Sequence, residues 1–305
     1  MAVSRVRIKL RTKILFSLIL FITLAAVAEA ALRLFGAAYP KFIPHAPETT
    51  CEKCPIRILC VGDSFTYGVG ADQEHSYPRQ LQQFLDQHYG TPFCQVTNLG
   101  VPGKNSSETL LILERALSVV PPPTFILAAV GINNYWNWHW ATTWLPGDSP
   151  LAGLHAMFSG SRLWRLLTMA LAVGPRITQG IYQPNKDYDP RDAWYVSYAY
   201  RNQKWLDKWL QRDLEAISDL GRQSGAQMVL LGYHRGPFPI DYRRLAGEEG
   251  WPYIELRDFG NSDDPTAISG LISADGWHPN GDGYGILARL IEADLEPLIR
   301  ERLSR

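Results

Sequence analysis

Ile56-Arg57-Ile58-Leu59-Cys60-Val61-Gly62-Asp63-Ser64-Phe65 is the stretch that decides how this chain folds. A short apolar run ending in Gly-Asp reads as a buried strand running into a tight turn. Ser64 sits on that turn, at the C-terminal end of the strand, which is where open parallel α/β sheets place their sites. Two more runs repeat the pattern. Cys94-Gln95-Val96-Thr97 leads into Asn98-Leu99-Gly100-Val101-Pro102-Gly103, and Phe125 to Val130 leads into Gly131-Ile132-Asn133-Asn134. Near the C-terminus, Asp275-Gly276-Trp277-His278 supplies an acid and an imidazole three residues apart on one loop. Such a His takes a proton from a serine while the Asp holds its tautomer.

Helical periodicity falls between the strands. It predicts helices near Tyr77–His88, Ser106–Val119 (core face Leu110, Leu113 and Leu117), Tyr200–Gln223 (Trp205, Trp209 and Ile217 towards the sheet), Tyr242–Glu249 and Gly283–Leu303 (Leu287, Leu290, Ile291 and Leu298 inward). Strands four and five are expected at Gln227–Leu231 and Tyr253–Leu256. Alternating strands and helices predict an α/β fold with a parallel sheet. From Tyr135 to about Trp194 the pattern breaks, and Tyr135-Trp136-Asn137-Trp138-His139-Trp140 opens that break. We expect a Trp-rich insert at 135–194, leaving the strand end that carries Asn133 and overhanging the site, with an amphipathic helix over Ser161–Leu171. The aromatic cluster then lines an acyl or sugar pocket, or packs as a satellite core. The amphipathic helix alternatively lies on a membrane surface.

With Ser, Gly, Asn and His following one another in four blocks, the chain from about Ile56 onward resembles the SGNH (GDSL) hydrolase family. That resemblance implies a three-layer α/β/α, flavodoxin-like sheet of about five parallel strands. It implies Ser64 as nucleophile, His278 as general base and Asp275 as its orienting acid. It also implies an oxyanion hole made of the Ser64 and Gly103 backbone N–H groups and the Asn133 amide, with no metal and no organic cofactor. The third block usually reads Gly-x-Asn-Asp, and here Asn134 replaces the Asp. Asn134, Trp136, Trp138 and His234, the last at the end of the fourth strand-like run, are the expected substrate contacts. Asp63 reads as structural.

The N-terminus carries a second signal. Arg5, Arg7, Lys9, Arg11 and Lys13 precede an apolar run from Ile14 to Ala28, and a basic flank before an apolar helix keeps its basic end inside. Residues 1–35 therefore read as a signal or transmembrane segment and 36–55, with four prolines, as a linker. The domain is expected over 56–305. Two readings stand. A helix continuing to Leu34 is long enough to span a bilayer, while Ala26-x-Ala28 and Ala28-x-Ala30 fit a signal cleavage site. Either puts the domain outside the cytoplasm, periplasmic or at the cell surface, or secreted after cleavage.

Composition narrows the classes. Thirty basic residues balance thirty acidic ones, which argues against a nucleic-acid surface. Cys51-x-x-Cys54 alone lacks two of a zinc site's four ligands. Pairing of Cys51 or Cys54 with Cys94, or of Cys51 with Cys54, stays open, and Cys60 reads as a buried thiol. The expected activity is hydrolysis of O-acyl esters on a carbohydrate or lipid. The alternatives are glycan acyl transfer through the same serine, or a non-catalytic scaffold subunit of a membrane complex.

Overall fold

The computed structural model describes residues 9–38, 51, 54–135, 137, 158, 160–164, 166–167, 203–233, 240–256 and 270–304. Five strands, β1 (Ile56–Gly62), β2 (Cys94–Asn98), β3 (Phe125–Ala129), β4 (Gln227–Leu231) and β5 (Tyr253–Ile254), form one sheet in the order β2-β1-β3-β4-β5. Every neighbouring pair is parallel. This is the flavodoxin-like order, in which β1 leads one way to β2 and the chain then crosses to β3 on its other side.

Side chains of a strand alternate between faces, and both faces of this sheet are covered. Ile56, Ile58 and Cys60 of β1, Phe125 and Leu127 of β3, and Val229 and Leu231 of β4 pack against one helical layer. That layer is α3 (Tyr77–Tyr89) and α7 (Gly281–Leu303); a single-turn helix, α2 (Ser64–Tyr67), follows β1. Leu59, Val61, Ile126, Ala128, Met228 and Leu230 face the opposite layer, built from α4 (Ser106–Leu117), α5 (Gln203–Gln223) and α6 (Tyr242–Glu249). The near-continuous apolar composition of β1 and β3 reflects burial on both sides.

Details depart from the sequence expectations for local reasons. β5 ends at Ile254 because it pairs only with Leu230 and Leu231, the last residues of β4. α7 starts at Gly281, where Asn280 caps it by accepting from Gly283 N at 3.0 Å. The buried seam of α7 is Tyr284, Leu287, Ala288, Ile291, Leu295 and Ile299, while Leu290 and Leu298 are only partly buried. On α5, Trp209 and Ile217 are fully buried and Trp205 lies at the margin. Cys94 does begin beside Ile56, but the disulfide joins Cys51 to Cys54, and Cys60 and Cys94 are free, buried thiols.

Ahead of the sheet, α1 (Leu10–Ala38) contains one apolar span, Leu10–Ala37, with a mean hydropathy of 2.4, long enough to cross a membrane. Its large side chains, Phe16 and Phe21 among them, are exposed. Near its C-terminal end Glu29 accepts hydrogen bonds from Leu163 N (2.8 Å), Ser161 Oγ (2.9 Å) and Arg162 N (3.1 Å), as well as from Arg33 Nε (2.7 Å). Arg162 returns a bond to Leu32 O at 2.8 Å. Most of the predicted insert lies outside the described residues.

Leu127 sits at the centre of the sheet with no exposed surface. Leu127→Ala is expected to lower the unfolding free energy by roughly 2–5 kcal/mol, the cost of a core truncation whose cavity does not collapse, as read from urea denaturation.

Candidate active site

Three strand ends converge because β1 lies between β2 and β3. The ladder continues past the strands: Leu99 N donates to Cys60 O at 2.8 Å and Val101 N to Gly62 O at 3.1 Å. The loop carrying Gly103 is thereby laid alongside the turn carrying Ser64. Gly62 pairs with Ala129 of β3, and a Cβ at Gly62 would meet Thr66 Oγ1 at 2.2 Å and Ala129 O at 2.5 Å. Only glycine fits where the turn doubles back this closely.

Ser64 opens α2, and Asp63 caps it, its Oδ1 accepting from Phe65 N at 3.0 Å. Ser64 Oγ lies 2.8 Å from His278 Nε2. His278 Nδ1 lies 2.6 Å from Asp275 Oδ2. The carboxylate only accepts, so Nδ1 carries the proton and Nε2 presents its lone pair to the Ser64 hydroxyl. Partial burial works against the Asp275 charge, but hydrogen bonds from His278, from the backbone N–H groups of Trp277 and His278, and from Ser273 Oγ hold its pKa down at about 2. The loop bearing the pair is itself a small hairpin, with Ile272 bridged to Pro279 and Ser273 N donating to His278 O at 2.8 Å. It is tied to the first turn region where Tyr284 Oη donates to Val69 O at 2.9 Å. Phe65 packs on the His278 ring, centroids 4.8 Å apart, and on Trp277 and Tyr233. The chain Asp275–His278–Ser64 can thus take a proton from Ser64 Oγ and return it to a leaving group.

Asn133 lies on the turn after β3. Its Nδ2 donates to Lys104 O at 3.0 Å and to Asp63 Oδ2 at 3.2 Å, which ties all three strand ends to one amide. Gly103 takes a left-handed conformation, φ 74°. Its carbonyl accepts from Asn137 Nδ2 at 2.8 Å, and Asn137 Nδ2 also donates to Glu108 Oε2 at 2.6 Å. Lys104 Nζ donates to Glu108 Oε1 at 2.6 Å. Among the described residues, the N–H groups of Ser64 and Gly103 have no acceptor. Asn134 does not join the substrate-contacting group expected from the sequence. Its side chain is 1% exposed and both ends of its amide are bonded to Ser106, so the space a substrate would need is already filled. Trp136, Trp138 and His234 lie outside the described residues. No group of three or more His, Cys, Asp or Glu side chains among the described residues could hold a metal.

Asp63 has a role that its place in the motif did not reveal. It is 1% exposed, and burial pushes its pKa up to about 7, against the bonds from Tyr233 and Phe65 that favour the charge. Tyr233 Oη lies 2.7 Å from Asp63 Oδ2 and 3.0 Å from Ala129 O. The one phenol proton is shared between the two acceptors while Asp63 is ionised; when Asp63 is protonated, it can donate to Tyr233 Oη, leaving the phenol to donate to Ala129 O. Tyr233 itself escaped the sequence reading, which singled out the adjacent His234. Its signal was present, since a tyrosine just past a strand end can carry its hydroxyl into the site.

The GDSL-like lipase/acylhydrolase family model matches residues 60–286. Among solved structures, TesA is 19% identical with a TM-score of 0.48, covering 79% of this chain and 99% of its own. The esterase EstA from Pseudoalteromonas is 16% identical with a TM-score of 0.46, covering 82% of this chain and 99% of its own. The lipase/acylhydrolase from Enterococcus faecalis is 15% identical with a TM-score of 0.44, covering 79% and 96%. No curated protein matches the chain's sequence.

Between about pH 4, the ordinary range for an unfolded Asp, and about pH 7, the folded protein binds a proton at Asp63 that the unfolded chain has released. Stability from this group is therefore fully present below about pH 4 and is lost as pH rises towards 7 and beyond. Urea midpoints measured from pH 5 to pH 8 should fall more steeply for the wild type than for Asp63→Asn, which cannot ionise.

Proposed function

Because the chain belongs to the GDSL-like lipase/acylhydrolase family, we propose that it hydrolyses carboxylic esters through an acyl-Ser64 intermediate. The observation that carries this reading is the unbroken hydrogen-bonded chain from Asp275 through His278 to Ser64 Oγ. Ser64 Oγ attacks the acyl carbon and passes its proton to His278 Nε2. The charge that forms on the imidazole is balanced by Asp275. The developing oxyanion is met by the N–H groups of Ser64 and Gly103 and by Asn133 Nδ2, which exchanges its bond to Lys104 O for the substrate oxygen. His278 then protonates the departing alcohol. Water repeats the sequence and frees the acid. Protonation of Asp63 favours this step, because a carboxylate bonded to the Asn133 amide opposes negative charge on the substrate oxygen.

The substrate class we propose is an O-acyl group on a carbohydrate, with lipid esters as the second choice, acted on outside the cytoplasm by a membrane-tethered domain. Apolar side chains exposed along α1 support the tether, since a surface of that extent is unfavourable in water. The bonds that Glu29 and Leu32 accept from residues 161–163 support a helix that is retained, because Glu29 would become the N-terminal residue or be lost if the chain were cut after Ala28 or Ala30.

A fluorophosphonate probe tests the chemistry. We expect a single adduct on Ser64 by mass spectrometry, absent in Ser64→Ala and in His278→Ala. Asn133→Ala should retain its fold and lose on the order of 100-fold in kcat, the usual cost of one oxyanion donor. A folded wild-type protein that neither labels nor turns over a small ester such as p-nitrophenyl acetate would overturn the proposal. For the tether, the intact mass of protein from the membrane fraction should include the residues before Ala28. Glu29→Ala should speed limited proteolysis within residues 160–167. A mature mass beginning at Glu29 or Ala31 would replace the anchor with a cleaved signal.

A further inference from the structure

On α5, Asp213 falls within an apolar stripe with Trp209, Leu210, Leu214 and Ile217, and it is fully buried. Burying a carboxylate is expensive unless it is paired and bonded on every side, and here it is. Arg212, partly exposed, bonds Oδ1 through both Nε (2.9 Å) and Nη2. Oδ2 accepts from Ser106 Oγ at 2.5 Å and from Ser107 Oγ at 2.7 Å. Trp209 Nε1 and Arg212 Nη2 in turn donate to Ser107 Oγ, at 2.8 and 3.0 Å.

The proton bookkeeping has a consequence for the site. Ser106 has a single hydroxyl proton, and Asp213 takes it. The Ser106 oxygen can then only accept towards its other neighbour, Asn134, whose Nδ2 donates to it at 2.8 Å. The remaining end of that amide, Oδ1, accepts from Ser106 N at 2.9 Å. The Ser106 N–H, and the Ser106 oxygen that Asp213 holds as an acceptor, thus together fix which way the Asn134 amide faces, one residue along the same turn from Asn133. Asn134 N also donates to Gly131 O at 3.0 Å, closing that turn on itself. A carboxylate at position 134 would leave two buried acids competing for one hydroxyl proton.

We infer that Asp213 is a positioning residue for the reaction: through Ser106 it clamps Asn134, and so sets the turn that aims the Asn133 amide at the substrate oxygen. The absence of an acid at 134 and the presence of a buried acid at 213 are two halves of one arrangement. This rests on the ester-hydrolase reading above, and the clamp itself can be read without it.

The experiment is a double-mutant cycle with Asn134→Asp, Asp213→Asn and the two combined, each scored for kcat and KM on p-nitrophenyl acetate and for thermal midpoint. Asn134→Asp alone should lose on the order of tenfold or more in kcat, since small misplacements of a reacting group are costly, with KM moved far less. In the double variant the Ser106 proton goes to the new acid at 134 and the amide at 213 donates to Ser106 Oγ. It should recover most of that kcat and of the lost midpoint. A double variant no better than the product of its two single losses would overturn the clamp. Should Asn134→Asp not fold, Ser106→Ala takes its place, because it removes the shared hydroxyl while Asp213 keeps Ser107 and Arg212. A folded Ser106→Ala with wild-type kcat would overturn the inference equally. Failure of the wild type itself to label or hydrolyse would instead strike the ester-hydrolase reading. In that case the non-additivity of the thermal midpoints in the cycle still decides whether the clamp exists.

Discussion

The reactive edge depends on one constraint, the position of β1 between β2 and β3. Parallel pairing on both sides sets Cys60 beside Asn98 and Gly62 beside Ala129, and the bonds from Leu99 N and Val101 N carry the ladder into the loops. Three turns that are distant in sequence are thereby forced into contact. The order β2-β1-β3 also opens a crevice at that point, because the chain leaves β1 in one direction and comes back to β3 on the other side. The acid–base pair comes from a fourth place, a hairpin held on the N-terminus of α7 and braced by Tyr284 against the loop at Val69.

Two buried acids organise this edge by different means. Among the described residues no cation pairs with Asp63, so burial raises its pKa and favours the neutral form, which can both accept from Asn133 and donate to Tyr233. Asp213 is held by Arg212 and two serine hydroxyls, and its influence passes outward as a fixed direction of hydrogen bonding. Each reaches the same turn, one through Asn133 and the other through Asn134. The Asn133 amide is therefore approached from both sides, and on the proposed reading this orients the oxyanion donor through groups that need never touch a substrate.

Much of this was legible in the chain. Runs leading into Gly-Asp-Ser, Gly-Val-Pro-Gly and Gly-Ile-Asn-Asn marked β1, β2 and β3; β1 and β3 are apolar at nearly every position because both of their faces are buried, while the edge strand β2 carries Gln95 and Thr97. Helical periodicity placed the start of α4 at Ser106, and the structure caps it there with Asn105, which accepts from Glu108 N. Asp275 and His278 could be paired from their spacing, since three residues on one loop are neighbours in any fold. The seam of α7 was less well read: a helix with apolar residues on several sides does not reveal by itself which stripe meets the sheet.

By itself, the sequence determined the types and order of the elements, the apolar N-terminal helix, and the identity of the serine, histidine and acid, because these depend on local periodicity and short spacings. Only the tertiary structure decided that Cys51 pairs with Cys54, that Asn133 lines the site while Asn134 is buried behind it, that Tyr233 meets Asp63, and that Asp213 sits beneath Ser106. Those outcomes turn on burial and on hydrogen bonds between elements separated by as many as 170 positions. Whether a carboxyl is charged, or which end of an amide points where, is set by the atoms that surround it, and no local pattern in a chain encodes them.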